Sequence, residues 1–149
     1  AGATPRLAGM ALGAEDFATE TGTDPAGPLV RGAKETLVLA ATAFGLPPYG
    51  LVGSIAEFGD LDLFRTYAEL AREMGYLGSF AVHPAQVPVL NDVFTPSAEA
   101  VAHARAVSET FERALAAGHG AVSLDGRMID EPVARRAQRL LARRGVDEA

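Results

Sequence analysis

Apolar positions fall into short runs separated by glycine, proline and acidic residues, and their spacing predicts alternating strands and helices. Gly9 to Gly13 is short, small and apolar, which reads as a buried strand. A loop carrying Gly22, Asp24, Pro25, Gly27 and Pro28 follows. Residues 33–45, "AKETLVLAATAFG", predict a helix with Leu37, Ala40, Ala41 and Phe44 on one face and Gly45 as its stop. "LPPYGLVGSI" is a second strand. "GDLDLFRTYAELAREMG" is a second helix, capped by Asp60 or Asp62, burying Leu63, Tyr67, Leu70 and Met74 and ending at Gly75. "LGSFAVHP" is a third strand, stopped by Pro84.

This β-α-β-α-β order is the rhythm of parallel α/β folds with right-handed crossovers. After Pro84 it breaks. Residues 95–120 predict one long helix capped by Ser97 or Thr95, with Val101, Ala104, Ser108, Phe111 and Leu115 as its stripe. "AVSLDGRMID" is a short two-stranded piece, and "EPVARRAQRLLARR" a final helix with Pro132 in its first turn. The expected organisation is therefore a β/α part over 1–95 and a helical part with a hairpin over 96–149. Three parallel strands alone make a weak sheet with exposed edges.

Composition narrows the function classes. The chain has 149 residues, 48% hydrophobic and 21% charged, which predicts a globular fold with a proper core. No apolar run of about 18 residues suggests a membrane span. The stretch "AGATPRLAG" lacks a basic segment followed by an apolar one, so no secretory signal is read. There are no cysteines, which excludes disulfides and thiolate metal sites and fits a reducing cytoplasm. A net charge of −6 argues against general nucleic-acid binding.

Sites in parallel α/β folds form at the C-terminal ends of strands. Glu15 and Asp16 follow the first strand, Gly50 and Gly53 the second, and His83 and Gln86 the third. Each also has a plain structural reading. Asp16 could be a cap or an Asx-turn, and His83 a hydrogen-bonded structural residue. His103 and His119 read as surface residues, Asp125 as a turn residue and Asp130 as an N-cap. No Gly-rich phosphate loop, HExxH or GxSxG motif is present. Two acids without thiols favour a hard cation. Mg²⁺ takes one or two protein carboxylates and fills its shell from water and substrate.

Three stretches in register, "LGAEDFATETG", "GYLGSFAVHPAQVPVLNDVFTPSAEAVAHA" and "GHGAVSLDGRMIDEPV", together resemble the citrate lyase β-subunit-like family, which includes malyl-CoA and citramalyl-CoA lyases. The resemblance implies the C-terminal part of a (β/α)₈ TIM barrel, about strands six to eight, with a C-terminal helical extension. It implies Mg²⁺-dependent cleavage of β-hydroxyacyl-CoA thioesters (malyl-, citramalyl- or citryl-CoA type) to acetyl-CoA or another acyl-CoA plus an oxoacid. Asp16 would be the metal ligand. Ala14 and Glu15, with the backbone amides after them, would border the oxoacid carboxylate, and His83 and Pro84 would complete the substrate-binding set. Asp130 would be the catalytic acid or base, carried on an extension that covers a neighbouring active site in a homo-oligomer, trimer or hexamer.

The chain departs from that pattern. A barrel needs about 250 residues. The earlier strands, which carry a second metal-ligand Glu and a substrate-binding Arg, have no matching positions. Ser79 stands where relatives often show Lys, and "PPYGLVGS" lacks an Asp that many have. The expectation is therefore a fragment inactive by itself. The alternatives are a non-catalytic half-barrel that docks on a partner supplying the missing strands, and a generic α/β phosphate or nucleotide binder.

Overall fold

A computed structural model describes residues 6–56 and 58–144. The chain divides after Phe94 into two compact units.

In the first unit, β1 (Met10–Ala11) pairs in parallel with β2 (Pro48–Tyr49), in the register Met10 to Pro48 and Ala11 to Tyr49. Between them lie α1 (Ala14–Thr21) and α2 (Pro28–Ala43); α3 (Leu61–Met74) and α4 (Gln86–Phe94) follow. The two strands still alternate with helical segments, but each segment holds two helices rather than one, and both strands are shorter than their apolar runs suggest. Helix α2 starts five residues before the expected Ala33, with Pro28 in its first turn, where a missing N–H costs nothing. It buries Val30, Lys34, Leu37 and Ala41, whereas Phe44 is exposed. Gly45 ends it in the left-handed region (φ 66°), with Leu46 N–H donating to Ala41 O at 2.8 Å and Gly45 N–H to Thr42 O at 3.2 Å, a Schellman closure.

Asp60 caps α3, accepting from Asp62 and Leu63 N–H at 3.1 and 2.9 Å. The buried face of α3 is Phe64, Ala68 and Ala71, one residue out of phase with the expected Leu63, Tyr67, Leu70 and Met74. Ala68 leaves a shallow surface, and Val89, Leu90 and Val93 of α4 pack against it together with Phe64 and Leu51. Leu63 and Leu70 are left exposed. A second cluster joins Leu37, Ala71 and Tyr76 with Met10, Leu12, Val38, Val52 and Met74.

The expected third strand does not form over 77–84. Its start runs beside β2, with Leu77 N–H donating to Pro48 O and Gly50 N–H to Gly78 O, both at 3.0 Å. Leu77, Phe80 and Val82 stay exposed. Parallel strands are stable when both faces are covered, and these side chains lack that cover.

In the second unit, α5 (Ala98–Ala116) and α6 (Glu131–Arg144) enclose an antiparallel hairpin, β3 (Ala121–Leu124) with β4 (Arg127–Asp130). Ser97 caps α5, accepting from Ala100 N–H at 3.1 Å. Asp125 and Gly126 both take positive φ (51° and 75°), as a two-residue type I′ turn requires. Ala104, Val107, Phe111, Ile129, Ala134 and Ala137 form the core. Leu115, expected in the stripe of α5, is exposed, and Val107 and Ala114 are buried instead.

Candidate functional site

Glu15 and Asp16 stand in the first turn of α1, two residues beyond the expected end of the strand, rather than in a loop. The helix begins at Gly13, which offers no side-chain cap. Its first amides therefore lack intrahelical partners, and the two carboxylates lie where the helix dipole favours negative charge. Thr19 and Thr21 hydroxyls donate back to Glu15 O and Phe17 O at 2.9 and 2.7 Å, and Gly22 closes the helix at φ 65°.

Ala14, Glu15 and Asp16 line a cavity of about 300 Å³ with Lys34, Gly50, Gly53, Ser54, Tyr76 and Ser79 among its walls. The Ser54 hydroxyl donates to Glu15 Oε1 at 2.8 Å and accepts from Ala56 N–H at 3.2 Å. Asp16 has no hydrogen-bond or ion-pair partner among the described residues. One carboxylate is thus committed and its neighbour is available at the cavity wall.

Lys34 is 4% exposed, and its ammonium donates to Val52 O at 2.7 Å and Gly53 O at 3.3 Å. Burial lowers its pKa below the ordinary 10.5, opposed by the charge of Glu15. Tyr76 is buried beneath the same region, its hydroxyl donating to Lys34 O at 3.4 Å, and burial raises its pKa. Gly50 and Gly53 do border the cavity, but their missing side chains make room for aromatic rings. A Cβ at Gly53 would meet the Tyr67 ring at 2.2 Å, and one at Gly50 would meet Tyr76 at 2.9 Å.

The other candidates lie elsewhere. His83 and Pro84 are exposed and do not line this cavity. His83 accepts from Ala85 N–H through Nδ1 at 3.2 Å and stacks on Phe58, ring centroids 5.4 Å apart. Gln86, fully buried, holds that turn: its carbonyl accepts from Val82 and His83 N–H at 2.9 and 3.2 Å, and its amide donates to Ile55 O at 2.9 Å. Asp130 belongs to the second unit, where its Oδ1 accepts from Val133 N–H at 3.2 Å and caps α6. Lys34 and Ser54 are the site residues that sequence reasoning missed. The available signal was the spacing Val30, Lys34, Leu37, Ala41, which puts a lysine on a buried helix stripe.

No family model matches the chain. It is 36% identical over 140 residues to a citrate lyase subunit beta-like protein of Deinococcus radiodurans, covering 93% of this chain and 49% of that protein. It is 35% identical over 151 residues to an L-malyl-CoA/beta-methylmalyl-CoA lyase of Cereibacter sphaeroides, covering 87% and 46%. The chain is a relative of the citrate lyase β-subunit-like family. Among solved structures, CitE of Mycobacterium tuberculosis, crystallised with magnesium, acetoacetate and coenzyme A, superposes with a TM-score of 0.72 at 29% identity, over 93% of this chain and 52% of that one. The α/β class read from the periodicity agrees with these neighbours. The chain spans about half the length of the curated relatives it matches. Their names are those of lyases, which does not favour the docking-module alternative. Among the described residues no helix is long and apolar enough to cross a membrane.

Proposed function

We propose that this chain is about half of a magnesium-dependent carbon–carbon lyase acting on β-hydroxyacyl-CoA thioesters, with its β/α part contributing about strands six to eight of a (β/α)₈ barrel. The observation that carries the reading is an unpartnered Asp16 carboxylate at a cavity wall, on the first helical turn after β1, in a chain that aligns with malyl-CoA lyases over most of its length.

The residues fit part of a magnesium site. Among the described residues no three His, Cys, Asp or Glu side chains converge on a metal. Magnesium needs no such cage, since one or two carboxylates suffice when waters and substrate oxygens complete its shell. Asp16 would hold the ion, and a further ligand would come from the part of the protein outside this chain. When bound, the ion polarises the carbonyl of the oxoacid and neutralises enolate charge. Ala14 and Glu15 would orient the oxoacid, because unsatisfied amides at a helix start receive a carboxylate well. In this reading His83 and Pro84 would meet the acyl or CoA portion, away from the cavity that Asp16 lines.

In the cleavage direction the β-hydroxyl loses its proton, the Cα–Cβ bond breaks, and the thioester enolate must gain a proton at carbon. Asp130 is assigned that proton transfer, removing a methyl proton in the reverse direction. The second unit would act as an extension over a neighbouring subunit's site in a homo-oligomer, trimer or hexamer, working in the cytoplasm. The chain alone is expected to be inactive.

The test has two parts. A longer protein containing this chain is assayed with Mg²⁺ against malyl-, citramalyl- and citryl-CoA. Asp16→Ala should abolish cleavage and divalent-ion binding together. Full ion affinity in Asp16→Ala, or no cleavage of any of the three thioesters by the unaltered protein, would overturn the proposal.

A further inference from the structure

Lys34 is the one basic side chain among the described residues that line the cavity, yet its ammonium is turned into the fold, onto the carbonyls of Val52 and Gly53. Those two carbonyls belong to the turn that leaves β2. Tyr67 packs against the same turn, with its ring over the Cα of Gly53 where a side chain would otherwise stand. The next residue, Ser54, carries the hydroxyl that holds Glu15. A buried ammonium on an apolar helix stripe is costly unless its donors are satisfied. Here its hydrogen-bond partners among the described residues are two backbone carbonyls that an apolar residue could not hold.

We propose that Lys34 is a positioning residue: it fixes the Val52–Gly53 turn so that the Ser54 hydroxyl holds the Glu15 carboxylate, and this sets the first turn of α1 for Asp16. The geometric half, from Lys34 to Glu15, is independent of any metal. The statement about Asp16 rests on the proposed function. The neighbouring groups support a role in orientation. Tyr76 donates to the backbone carbonyl of Lys34 itself, so the helix is held at the residue whose side chain holds the turn. Ser54 accepts from Ala56 N–H and donates its proton to Glu15, so its hydroxyl is held from both sides. The order is therefore helix α2, turn, hydroxyl, carboxylate, with each link a named hydrogen bond.

The experiment uses the full chain and Mn²⁺ alone as the probe. Paramagnetic broadening of the Glu15 and Phe17 amide signals reports binding at α1, and amide hydrogen exchange at Ser54 and Ala56 reports the turn. Lys34→Met and Ser54→Ala should each weaken Mn²⁺ binding by about 10-fold, the scale of lost outer-shell partners. The double variant should be no worse than either, because both act along one path. Lys34→Met should also speed exchange at Ala56 while α3 amides stay protected, and Lys34→Arg, which keeps charge and donors, should restore both readouts. Losses that multiply in the double variant, or unchanged exchange at Ala56, would overturn the assignment. Loss of α3 protection in both Lys34→Met and Lys34→Gln would also overturn it, since that is a role in folding. Absence of Mn²⁺ broadening in the unaltered chain would sink the metal reading alone, and the exchange data would still decide the clamp.

Discussion

Replacing Asp130 by asparagine and by alanine separates two roles that one carboxylate can hold. Its Oδ1 accepts from Val133 N–H at 3.2 Å, at the junction where β4 hands over to α6. Asparagine keeps an acceptor in that place and is as good an N-cap as aspartate, so capping survives. What it loses is the charge beside the helix start, worth about 0.3–1 kcal/mol. Alanine loses the cap as well, typically about 1 kcal/mol. The second unit should therefore rank unaltered, then Asn, then Ala in urea unfolding, with steps of that size and an unchanged denaturant slope. Turnover should not follow this ranking. Asparagine cannot deliver or accept the proton, so thioester cleavage by a longer protein containing the chain should fall by about 10²–10⁴-fold in both variants alike. Mn²⁺ affinity should be unchanged in both, since Asp130 is not assigned to the ion. An Asn variant that retains turnover would show that Asp130 is a cap and nothing more. An Asn variant as unstable as Ala would show that the hydrogen bond to Val133 is not what holds the start of α6.

Two further outcomes follow from the packing. Lys34 has a folded-state pKa below its ordinary 10.5, so between the two values the unfolded chain binds more protons than the folded one. Stability should rise with pH through that window, and the slope should vanish in Lys34→Met. Tyr76, raised above 10.0, acts in the opposite sense at the top of the range, so the comparison is best made in a Tyr76→Phe background; identical slopes with and without Lys34 would refute the argument. Phe64 is fully buried against Leu51, Ala68, Val89, Leu90 and Val93, and Phe64→Ala should cost about 3–5 kcal/mol in equilibrium unfolding. A loss under about 1 kcal/mol would mean that this cluster is not a core.

The α/β class and the position of Glu15 and Asp16 were legible because both depend on local pattern: a short apolar run, then acids. The hairpin was legible for the same reason, since Asp125–Gly126 is a turn whose chemistry is carried by two residues. Helix α1 was not. Its eight residues hold three acids and two threonines and bury only Ala18, so no apolar stripe marks it, and the charge at its start favours it. Helix α4 was hidden by Pro88, which reads as a breaker. At the third helical position its absent N–H is one that no helix bond uses. The phase of α3 was misread because leucine was weighted over alanine. Close packing selects the small side chains, Ala68 against α4 and Ala71 against Leu37 and Tyr76, and the larger Leu63 and Leu70 are left outside.

The candidate site shows a deeper limit. Periodicity places a residue on a face, and chemistry-bearing types suggest a ligand, but neither says what a side chain will bond. Gly50 and Gly53 looked like openings for a ligand and turn out to admit Tyr76 and Tyr67. His83, a site candidate with a plain structural reading beside it, accepts from Ala85 N–H and stacks on Phe58. Lys34 was passed over altogether, although it lies between Arg31 and Glu35, which pair with each other at the surface. It faces inward because the turn after β2 offers two carbonyls with no strand to receive them, and a lysine stem is long enough to cross the apolar stripe and satisfy both. The need that Lys34 answers is created eighteen and nineteen residues downstream. It follows that the residues most worth substituting first are those where a helix stripe carries the wrong polarity, because there the fold has accepted a local cost for something held at a distance.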